Sequence, residues 1–282
     1  MISVSNLSFS YTKKAFISDM NFTVGKGEIF GFLGPSGAGK STVQKILTGM
    51  LTSFTGRVSV LNTDIKHIGK NFYEKIGVDF EFSSLFEKMT ARENLRFFSS
   101  LYSSKCINID ELLKNVELHK DADKKVAAFS KGMKSRLNFI KALAHDPDLL
   151  FLDEPTSGLD PSNAAVMKQL ILEQKNRGKT IILTTHNMYD ASELCDRVAF
   201  IVDGAIKALD TPWNLMHKNT DFNVTYSWLE NGEKQERSIP VTQTSSDEKL
   251  NLLIKQNALV SIHSREPNLN DVFTEITGRV LV

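Results

Sequence analysis

Four short apolar runs stand out along the chain, at residues 28–33 (EIFGFL), 149–152 (LLFL), 180–183 (TIIL) and 198–202 (VAFIV). They are rich in β-branched and aromatic residues and nearly continuous, without the polar alternation of a strand that has one wet face. Such runs are typical of parallel strands that are covered on both faces of their sheet. We therefore predict that these strands lie buried in one parallel sheet.

Helical patterns lie between the apolar runs. Thr90-Ala-Arg-Glu93 is a capping box, in which two side chains satisfy backbone N–H groups at a helix start, and it predicts a helix running toward Leu101. Residues 131–144 and 163–174 also have the spacing of helices. Because strands alternate with helices, the predicted fold class is α/β.

The C-terminal part of the chain has a different pattern. Phe222, Val224, Tyr226 and Trp228 alternate with polar residues, and Asn231-Gly232 follows them. An alternating strand that ends in Asn-Gly is a strong signal for a β-hairpin. A helix from Asp247, a short strand at residues 259–262 and a last helix ending at Gly278 are predicted after it.

This change of pattern predicts two domains. The larger covers residues 1–217, and a small α+β accessory domain covers residues 218–282, after a linker near Lys218. The sequence contains no internal repeat, so a tandem duplication is not expected.

Composition narrows the class of protein. The net charge is +1, which does not favour a nucleic-acid partner because such proteins usually carry a basic excess. Cys106 and Cys195 fit neither a disulfide framework nor a metal site, so we expect reduced thiols in the cytosol. The N-terminus lacks a signal pattern, and no apolar run approaches the ~20 residues that span a bilayer. Work at a membrane would need a second chain for the spanning part.

A phosphate-binding motif follows the first apolar run. It consists of Gly34, Pro35, Ser36, Gly37, Ala38, Gly39, Lys40, Ser41 and Thr42, and it matches G-x-x-x-x-G-K-[ST] in full. Glycines let backbone N–H groups point at phosphate oxygens, and the helix start that follows favours an anion. We expect the Lys40 ammonium to contact the β- and γ-phosphates and the Ser41 hydroxyl to ligate Mg²⁺. Thr42 is expected to contact the α-phosphate. A glycine-rich turn without a ligand is the alternative; the strand before and helix after argue against it.

Two carboxylates follow the apolar run at residues 149–152. Asp153 and Glu154 stand at the C-terminal end of a predicted strand, where α/β sheets place their ligands. We expect Asp153 to hold Mg²⁺ through water and Glu154 to orient and activate the attacking water. In isolation the pair is equally compatible with a capping role, but a phosphate loop in the same chain favours the catalytic interpretation.

Further segments resemble motifs of one family. Phe129-Ser130-Lys131-Gly132-Met133 is similar to the signature sequence of ABC (ATP-binding cassette) transporter ATP-binding subunits, and it precedes LLFLDE as in that family. Thr156-Ser-Gly-Leu-Asp160 resembles the D-loop of the family. His186, after Thr185, stands where the family has its switch histidine, and Tyr11 where it has an aromatic that stacks on adenine. The resemblance covers nearly the whole chain.

The resemblance implies a fold and a reaction. The fold would be a P-loop NTPase with a RecA-like core, an antiparallel β subdomain and a helical subdomain at about residues 82–145. ATP and Mg²⁺ would be the cofactors, and ATP would be hydrolysed to ADP and phosphate. Two subunits would pack head to tail as a homodimer, or as a heterodimer with a similar chain. The signature residues Ser130, Lys131 and Gly132 of one subunit would act on the ATP of the other, with Ser130 and the N–H of Gly132 capping its γ-phosphate, and Asp160 belongs to the D-loop.

One position departs from the family pattern. Aligning residues 76–81 (IGVDFE) with the family's Q-loop places Glu81 where the family usually has glutamine. A glutamate can still offer an oxygen to Mg²⁺, but an ionised one cannot donate a hydrogen bond to water or phosphate. Glu81 is therefore either a metal ligand or a solvated loop acid.

Two hypotheses describe the partner on which the ATPase would act. A membrane permease on a separate chain would contact the segment after Glu81, where Phe82, Leu85 and Phe86 cluster; packing of these side chains inside the helical subdomain is the alternative. A soluble ABC ATPase acting on nucleic acid or ribosomes would need a coiled-coil insertion or two cassettes, which this sequence lacks. A GTPase would need Asn-Lys-x-Asp, which is also missing.

Two segments resemble one branch of the family. The Ser-Lys-Gly-Met signature looks like that of exporter subunits that pair with six-helix, ABC-2-type permeases. The segment from Pro267 to Gly278 (PNLNDVFTEITG) resembles the tail of drug-exporter ATPases, including daunorubicin and fluoroquinolone types. The resemblance implies a peripheral subunit on the cytoplasmic face of the cell membrane. The permease would choose the substrate, and the C-terminal domain would regulate or stabilise the dimer.

Overall fold

The computed structural model describes residues 1–80, 84–103, 106–218, 223–265 and 267–279. The chain divides into two compact units, one extending to Pro212 and one starting at Trp213. The strands are β1 (Ile2–Phe9), β2 (Ile17–Val24), β3 (Ile29–Leu33), β4 (Phe54–Val60), β5 (Thr63–Asp64), β6 (Ile76–Asp79), β7 (Leu149–Asp153), β8 (Thr180–Thr185), β9 (Arg197–Val202), β10 (Ala205–Asp210), β11 (Asn223–Glu230), β12 (Glu233–Pro240) and β13 (Leu259–Arg265). The α-helices are α1 (Lys40–Leu47), α2 (Lys70–Tyr73), α3 (Ala91–Ser99), α4 (Ile109–Asn115), α5 (Lys131–Leu143), α6 (Pro161–Asn176), α7 (Met188–Leu194), α8 (Pro212–His217), α9 (Glu248–Lys255) and α10 (Leu269–Thr277).

The central sheet of the first unit has the order β10-β9-β3-β8-β7-β6. The five strands from β9 to β6 are parallel, and only β10 runs antiparallel to its neighbour. β3, β7 and β8 are buried at every position, as their apolar runs predicted. The predicted α/β class is confirmed, and the carboxyl ends of β3, β7 and β8 lie next to one another at one edge of the sheet.

A second, antiparallel sheet has the order β2-β1-β4-β5. Its strands alternate buried and exposed residues, since only one face meets the core. On that face Phe22 stacks on Phe30 of β3, with ring centroids 5.7 Å apart, and meets Phe32 edge-on at 5.2 Å. One hydrophobic core therefore joins the two sheets.

A helical segment follows β6. The capping box predicted at its start is present: the Glu93 N–H donates to the Thr90 hydroxyl at 3.1 Å, and the Thr90 N–H donates to the Glu93 carboxylate at 2.7 Å. Helix α5 packs against α3, α4 and β6, so it connects the helical segment with the central sheet. Among the described residues no helix is long and apolar enough to cross a membrane. Both cysteines are free thiols.

The second unit contains a three-stranded sheet of order β12-β11-β13 with its own small core. The predicted hairpin is confirmed, because Asn231 and Gly232 have φ of 54° and 83° between β11 and β12. Asp247 caps α9 by accepting a bond from the Leu250 N–H at 2.8 Å. Gly278 ends α10 with φ 66°, as expected for a glycine C-cap. Phe222, which was predicted to begin the alternation, lies outside the described residues.

Candidate functional site

The phosphate loop lies between β3 and α1, at the carboxyl edge of the central sheet. Its backbone takes the left-handed conformations that glycine allows, with φ of 155° at Gly34 and 111° at Gly39. A Cβ on Gly34 would lie 2.1 Å from the carbonyl oxygen of Ile201, so any side chain there would collide with the backbone of β9. The backbone conformation and the close packing of this loop therefore require the glycines that define its motif.

Lys40 is the buried cation of the loop. Its ammonium donates to the carbonyl oxygens of Gly34 at 2.7 Å and Pro35 at 3.1 Å, and lies 4.0 Å from Oε1 of Glu154. The loop borders a cavity of about 230 Å³, lined by Phe16, Ser36, Gly37, Gly39, Lys40, Ser41, Thr42, Glu154 and His186. Motifs that are distant in sequence thus share one cavity.

The predicted metal ligands of the loop and of β7 are in contact. The Ser41 hydroxyl donates to Oδ1 of Asp153 at 3.3 Å, and the Thr184 hydroxyl of β8 donates to the same oxygen. Hydroxyl and carboxylate oxygens form the hard donor set that Mg²⁺ prefers, with water completing its shell. The described residues hold no group of three or more His, Cys, Asp or Glu side chains that would cage a metal alone. Glu81, the third predicted ligand, lies outside the described residues.

Glu154 is held in an uncommon backbone conformation. Its φ is 51°, in the left-handed region that costs a non-glycine residue about 1 kcal/mol. The Glu154 N–H donates to the carbonyl of Thr184 at 2.9 Å, and its side chain accepts from the Thr185 hydroxyl at 3.3 Å. Nδ1 of His186 lies 2.9 Å from the other carboxylate oxygen. The two predicted catalytic residues are therefore in direct contact.

Asp190 connects the turn after Glu154 with the turn after His186. The sequence did not predict a role for this residue. Its Oδ2 accepts from the Thr156 hydroxyl at 2.7 Å and from the Asn187 amide at 3.1 Å. Lys168 lies 3.4 Å from its other oxygen. Asp190 looked like an ordinary polar position in the first turn of a helix, and only the fold shows that it joins the turn after Glu154 to the turn after His186.

The signature and the D-loop lie against each other within the chain. Ser130 is the N-cap of α5 and accepts from the Met133 N–H at 3.2 Å. A Cβ on Gly132 would lie 2.5 Å from the Asn163 side chain, so glycine allows the close approach. Asn163 donates from its backbone N–H (3.1 Å) and its amide (2.6 Å) to Asp160, which lowers the pKa of that carboxyl.

The ammonium of Lys131 lies against the D-loop of its own chain. A Cβ on Gly158 would come within 1.9 Å of the Lys131 Nζ. Lys131, which follows Ser130 in the signature, is therefore placed over the turn that follows Glu154.

Two aromatic residues lie beside the phosphate loop. Tyr11 is 57% exposed, and its hydroxyl lies 3.1 Å from the Thr42 hydroxyl. Phe16 meets the Tyr11 ring edge-on at 5.4 Å. Phe16 lines both the phosphate cavity and a neighbouring cavity of about 480 Å³ that Tyr11 also lines. The sequence did not identify Phe16, because one aromatic residue next to a strand carries no signal of its own.

A buried carboxyl stands on the strand beside β7, which ends in Asp153. Asp79 ends β6, and burial raises its pKa to about 7, against the opposing effects of the Lys141 ammonium and the Asn138 hydrogen bond; the Asp153 charge raises it further. Burial also disfavours the charged form of Lys141, so it lowers the pKa of that ammonium.

The aromatic cluster after Glu81 is described in part. Phe82 lies outside the described residues. Phe86 meets Phe97 edge-on at 5.1 Å and stacks on Phe98 at 5.8 Å, yet it is 45% exposed. Phe86 therefore combines internal packing with a face open to solvent.

Comparisons with known proteins identify the family of the chain. The ABC transporter family profile matches residues 17–157. A fluoroquinolones export ATP-binding protein of Mycobacterium tuberculosis is 47% identical over 284 residues, covering 100% of this chain and 94% of that protein. Nod factor export ATP-binding protein I of Rhizobium meliloti is 36% identical, covering 99% of this chain and 89% of that protein.

Solved structures are similar as well. An ATP-binding subunit of an ABC transporter superposes with a TM-score of 0.69 at 28% identity, covering 77% of this chain and 92% of the other. A dimeric ATP-binding cassette in a post-hydrolysis state, bound to ADP and phosphate, gives a TM-score of 0.67 at 25% identity, covering 75% of this chain and 98% of the other. With its phosphate loop, carboxylates and signature in these positions, the chain belongs to the ABC transporter family as an ATP-binding subunit and an ATPase.

Proposed function

We propose that this ATPase powers a membrane exporter, and that its ATP is enclosed in a head-to-tail dimer and hydrolysed with Glu154 as the general base. The observation that carries the proposal is the shared wall of the phosphate cavity. Lys40 and Ser41 come from one motif, Glu154 from a second and His186 from a third, and all four line the same 230 Å³ space. Phosphoryl transfer needs mainly positioning and charge neutralisation, which such a set of groups supplies.

The phosphate loop binds the nucleotide in this proposal. Its N–H groups and the start of α1 take the phosphate oxygens, and Lys40 exchanges its bonds to loop carbonyls for bonds to the β- and γ-phosphates. Ser41 and Asp153 would hold Mg²⁺, with Glu81 as a further candidate. When bound, the ion neutralises charge on the phosphate oxygens. Tyr11 offers its exposed ring to the adenine.

Glu154 takes the proton from the attacking water. Its left-handed backbone and its contacts with Thr185 and His186 aim the carboxylate into the cavity rather than at solvent. His186 orients Glu154 through Nδ1 and lines the cavity in which the γ-phosphate would lie. The two groups act together because the carboxylate fixes the imidazole, and the imidazole fixes the carboxylate.

The second half of each site comes from a partner subunit. The signature residues Ser130, Lys131 and Gly132 would act on the ATP that the other subunit holds, with Ser130 and the Gly132 N–H capping its γ-phosphate, and Asp160 would lie at the same interface. The start of α5 offers a helix dipole for that purpose. The similar dimeric cassette bound to ADP and phosphate supports a paired arrangement. A homodimer is the simplest case, and a heterodimer with a similar chain would use the same surfaces.

The export assignment comes from the relatives. Those from Mycobacterium tuberculosis and Rhizobium meliloti are both named as export ATP-binding proteins, and both match this chain along almost its whole length. We infer a permease on a separate chain, which would anchor this subunit to the cytoplasmic face of the cell membrane and select the solute. The exposed face of Phe86 is the proposed contact with it.

Replacing Glu154 tests the proposed site. Glu154→Gln keeps the shape and the hydrogen-bonding reach but removes the base, so ATP binding should persist while turnover falls by about 100-fold or more. ATP should then trap a dimer that size-exclusion chromatography detects. Glu117→Gln is the matched control, because Glu117 also has a left-handed backbone, with φ 59°, but is exposed and does not line the cavity. Normal turnover in Glu154→Gln would refute the assignment of the base.

A further inference from the structure

Two residues one turn apart on α5 bind both flanks of the segment that contains Glu81. The Lys141 ammonium donates to the Ser84 hydroxyl at 2.5 Å and to the Asn138 side-chain oxygen at 2.6 Å. The Asn138 amide in turn donates to Oδ1 of Asp79 and to the carbonyl of Phe80 at 3.4 Å. Asp79, Ser84, Asn138 and Lys141 thus form one connected set, which we call the α5 clamp.

The clamp is buried where it meets the sheet. Asp79, Asn138 and Lys141 are 5%, 4% and 7% exposed, and the Lys141 ammonium also lies 5.0 Å from the centre of the Phe98 ring. Burying an ammonium and a carboxyl removes both from water at a large cost in free energy, and such pairs are often no better for stability than apolar residues. What they provide is a defined geometry, since few other arrangements satisfy all of their donors and acceptors.

The position of the clamp connects two parts of the site. Asp79 is the last residue of β6, beside β7, whose last residue is Asp153. At its other end α5 begins at the Ser130 cap, where the signature lies. One helix therefore carries both the groups offered to the partner's ATP and the bonds to the sheet edge that holds this chain's own ATP.

We propose that Lys141 and Asn138 are positioning residues, which lock α5 to the strand end at Asp79 and to Ser84 so that the signature is presented at the right place for dimer closure. The proposal rests on the proposed function above. Because the phosphate loop belongs to β3 and α1, loosening the clamp should leave ATP binding to a single subunit intact. It should weaken the step in which two subunits close on ATP.

The test uses the full-length chain in the Glu154→Gln background, where closed dimers accumulate. Ser84→Ala removes one bond from an exposed residue, and Lys141→Met removes all of the ammonium's bonds. We expect the ATP-dependent dimer to weaken about threefold for Ser84→Ala and about tenfold or more for Lys141→Met, measured by sedimentation. The affinity of the monomer for ATP should stay within about twofold. Lys141→Arg should recover most of the dimer affinity, since it keeps charge and donors.

A paired substitution separates positioning from simple charge balance. Asp79→Asn with Lys141→Met removes both buried charges, so the melting temperature should return toward that of the parent while the dimer stays weak. Recovery of dimer affinity in this double variant would overturn the proposal, because Lys141 would then serve only to neutralise Asp79. Unchanged dimer affinity in Ser84→Ala would overturn it too, and that variant tests the proposal even if Lys141→Met does not fold.

Ser100→Ala is the matched control for the exposed serine. Its hydroxyl bonds only to the Phe97 carbonyl of its own helix among the contacts described, so its removal should leave dimer affinity unchanged. If the Glu154→Gln parent forms no ATP-dependent dimer, the proposed function fails. If the parent dimerises and the clamp variants match it, only the clamp fails.

Discussion

His145 is a buried imidazole outside the ATP site. It is 3% exposed, its Nε2 lies 2.8 Å from the Ile76 carbonyl, and its ring stacks on Tyr102 with centroids 3.6 Å apart. Within the described part of the chain, Nδ1 has no hydrogen-bond partner. Neutral histidine fits this place with Nε2 donating. Protonation would bury a second N–H without an acceptor, and burial accordingly lowers the pKa of His145.

We predict an acid-sensitive contribution to stability from His145. The unfolded chain binds the proton near the ordinary pKa of about 6.5, before the folded chain does, so the contribution of His145 to the free energy of unfolding falls as the pH drops below that value. The slope is at most about 1.4 kcal/mol per pH unit until the folded pKa is passed. His145→Gln keeps a donor for Ile76 but cannot titrate. In denaturant unfolding between pH 8 and pH 5, the parent should therefore lose stability relative to the variant as the pH falls; a difference between the two that does not change with pH would contradict this.

Single residues were predictable where a motif fixed their spacing. Lys40 and Glu154 were predicted this way, from motifs that follow buried strands, whereas His186 was predicted from the family resemblance and its place after another such strand. Phe16 and Asp190 were not, since their importance comes from neighbours that are distant in sequence. For Glu81 only the sequence is informative. It shows a glutamate where the family usually has glutamine, and the residue lies outside the described part of the structure.

At the scale of single elements, helix α3 begins at a capping box. The hydrogen bonds of the box lower the pKa of Glu93 and satisfy backbone donors at the helix start. Phe97 and Phe98 of this helix pack on Phe86, so the start of α3 helps to place the aromatic surface proposed for the permease.

Removing the cap should destabilise this helix. Thr90→Ala loses the acceptor for the Glu93 N–H, and we expect a loss of about 1 kcal/mol in the free energy of unfolding, with faster amide exchange in the first turn of α3. Thr90→Ser is the control, because it retains the hydroxyl. Equal exchange rates in the two variants would show that the box adds nothing.

The individual strands of the antiparallel sheet were harder to predict than those of the central sheet. β1 pairs with β2 and β4 through irregular registers, and Asn6 within it has φ 51°. Bulges of this kind break the period of two on which strand prediction depends. The antiparallel subdomain was expected from the family resemblance, whereas β3, β7 and β8 followed from their apolar runs alone.

At the scale of the whole molecule, the chain has two units, each with its own hydrophobic core. Every residue proposed to bind ATP lies in the first. Tyr226, Leu250 and Leu253 close the core of the second without help from the ATP site. We propose that the second unit acts on the dimer rather than on the nucleotide.

Truncation tests that division of roles. A chain ending at Lys218 should bind ATP with unchanged affinity, because the cavity-lining residues remain, but its Glu154→Gln form should dimerise several-fold more weakly. Fluorescence titration with an ATP analogue and sedimentation measure the two properties separately. A truncated chain that dimerises and turns over like the full-length chain would exclude a dimer-stabilising role.

The left-handed backbone of Glu154 has a consequence for protein engineering. Glycine and asparagine adopt this conformation at lower cost, so replacing Glu154 by either would relieve strain while removing the base. A screen that selects only for heat resistance would therefore enrich inactive chains at this position. Thermal stability and ATP turnover therefore place opposite demands on the residue at position 154. Any selection for a more heat-resistant transporter must also require turnover.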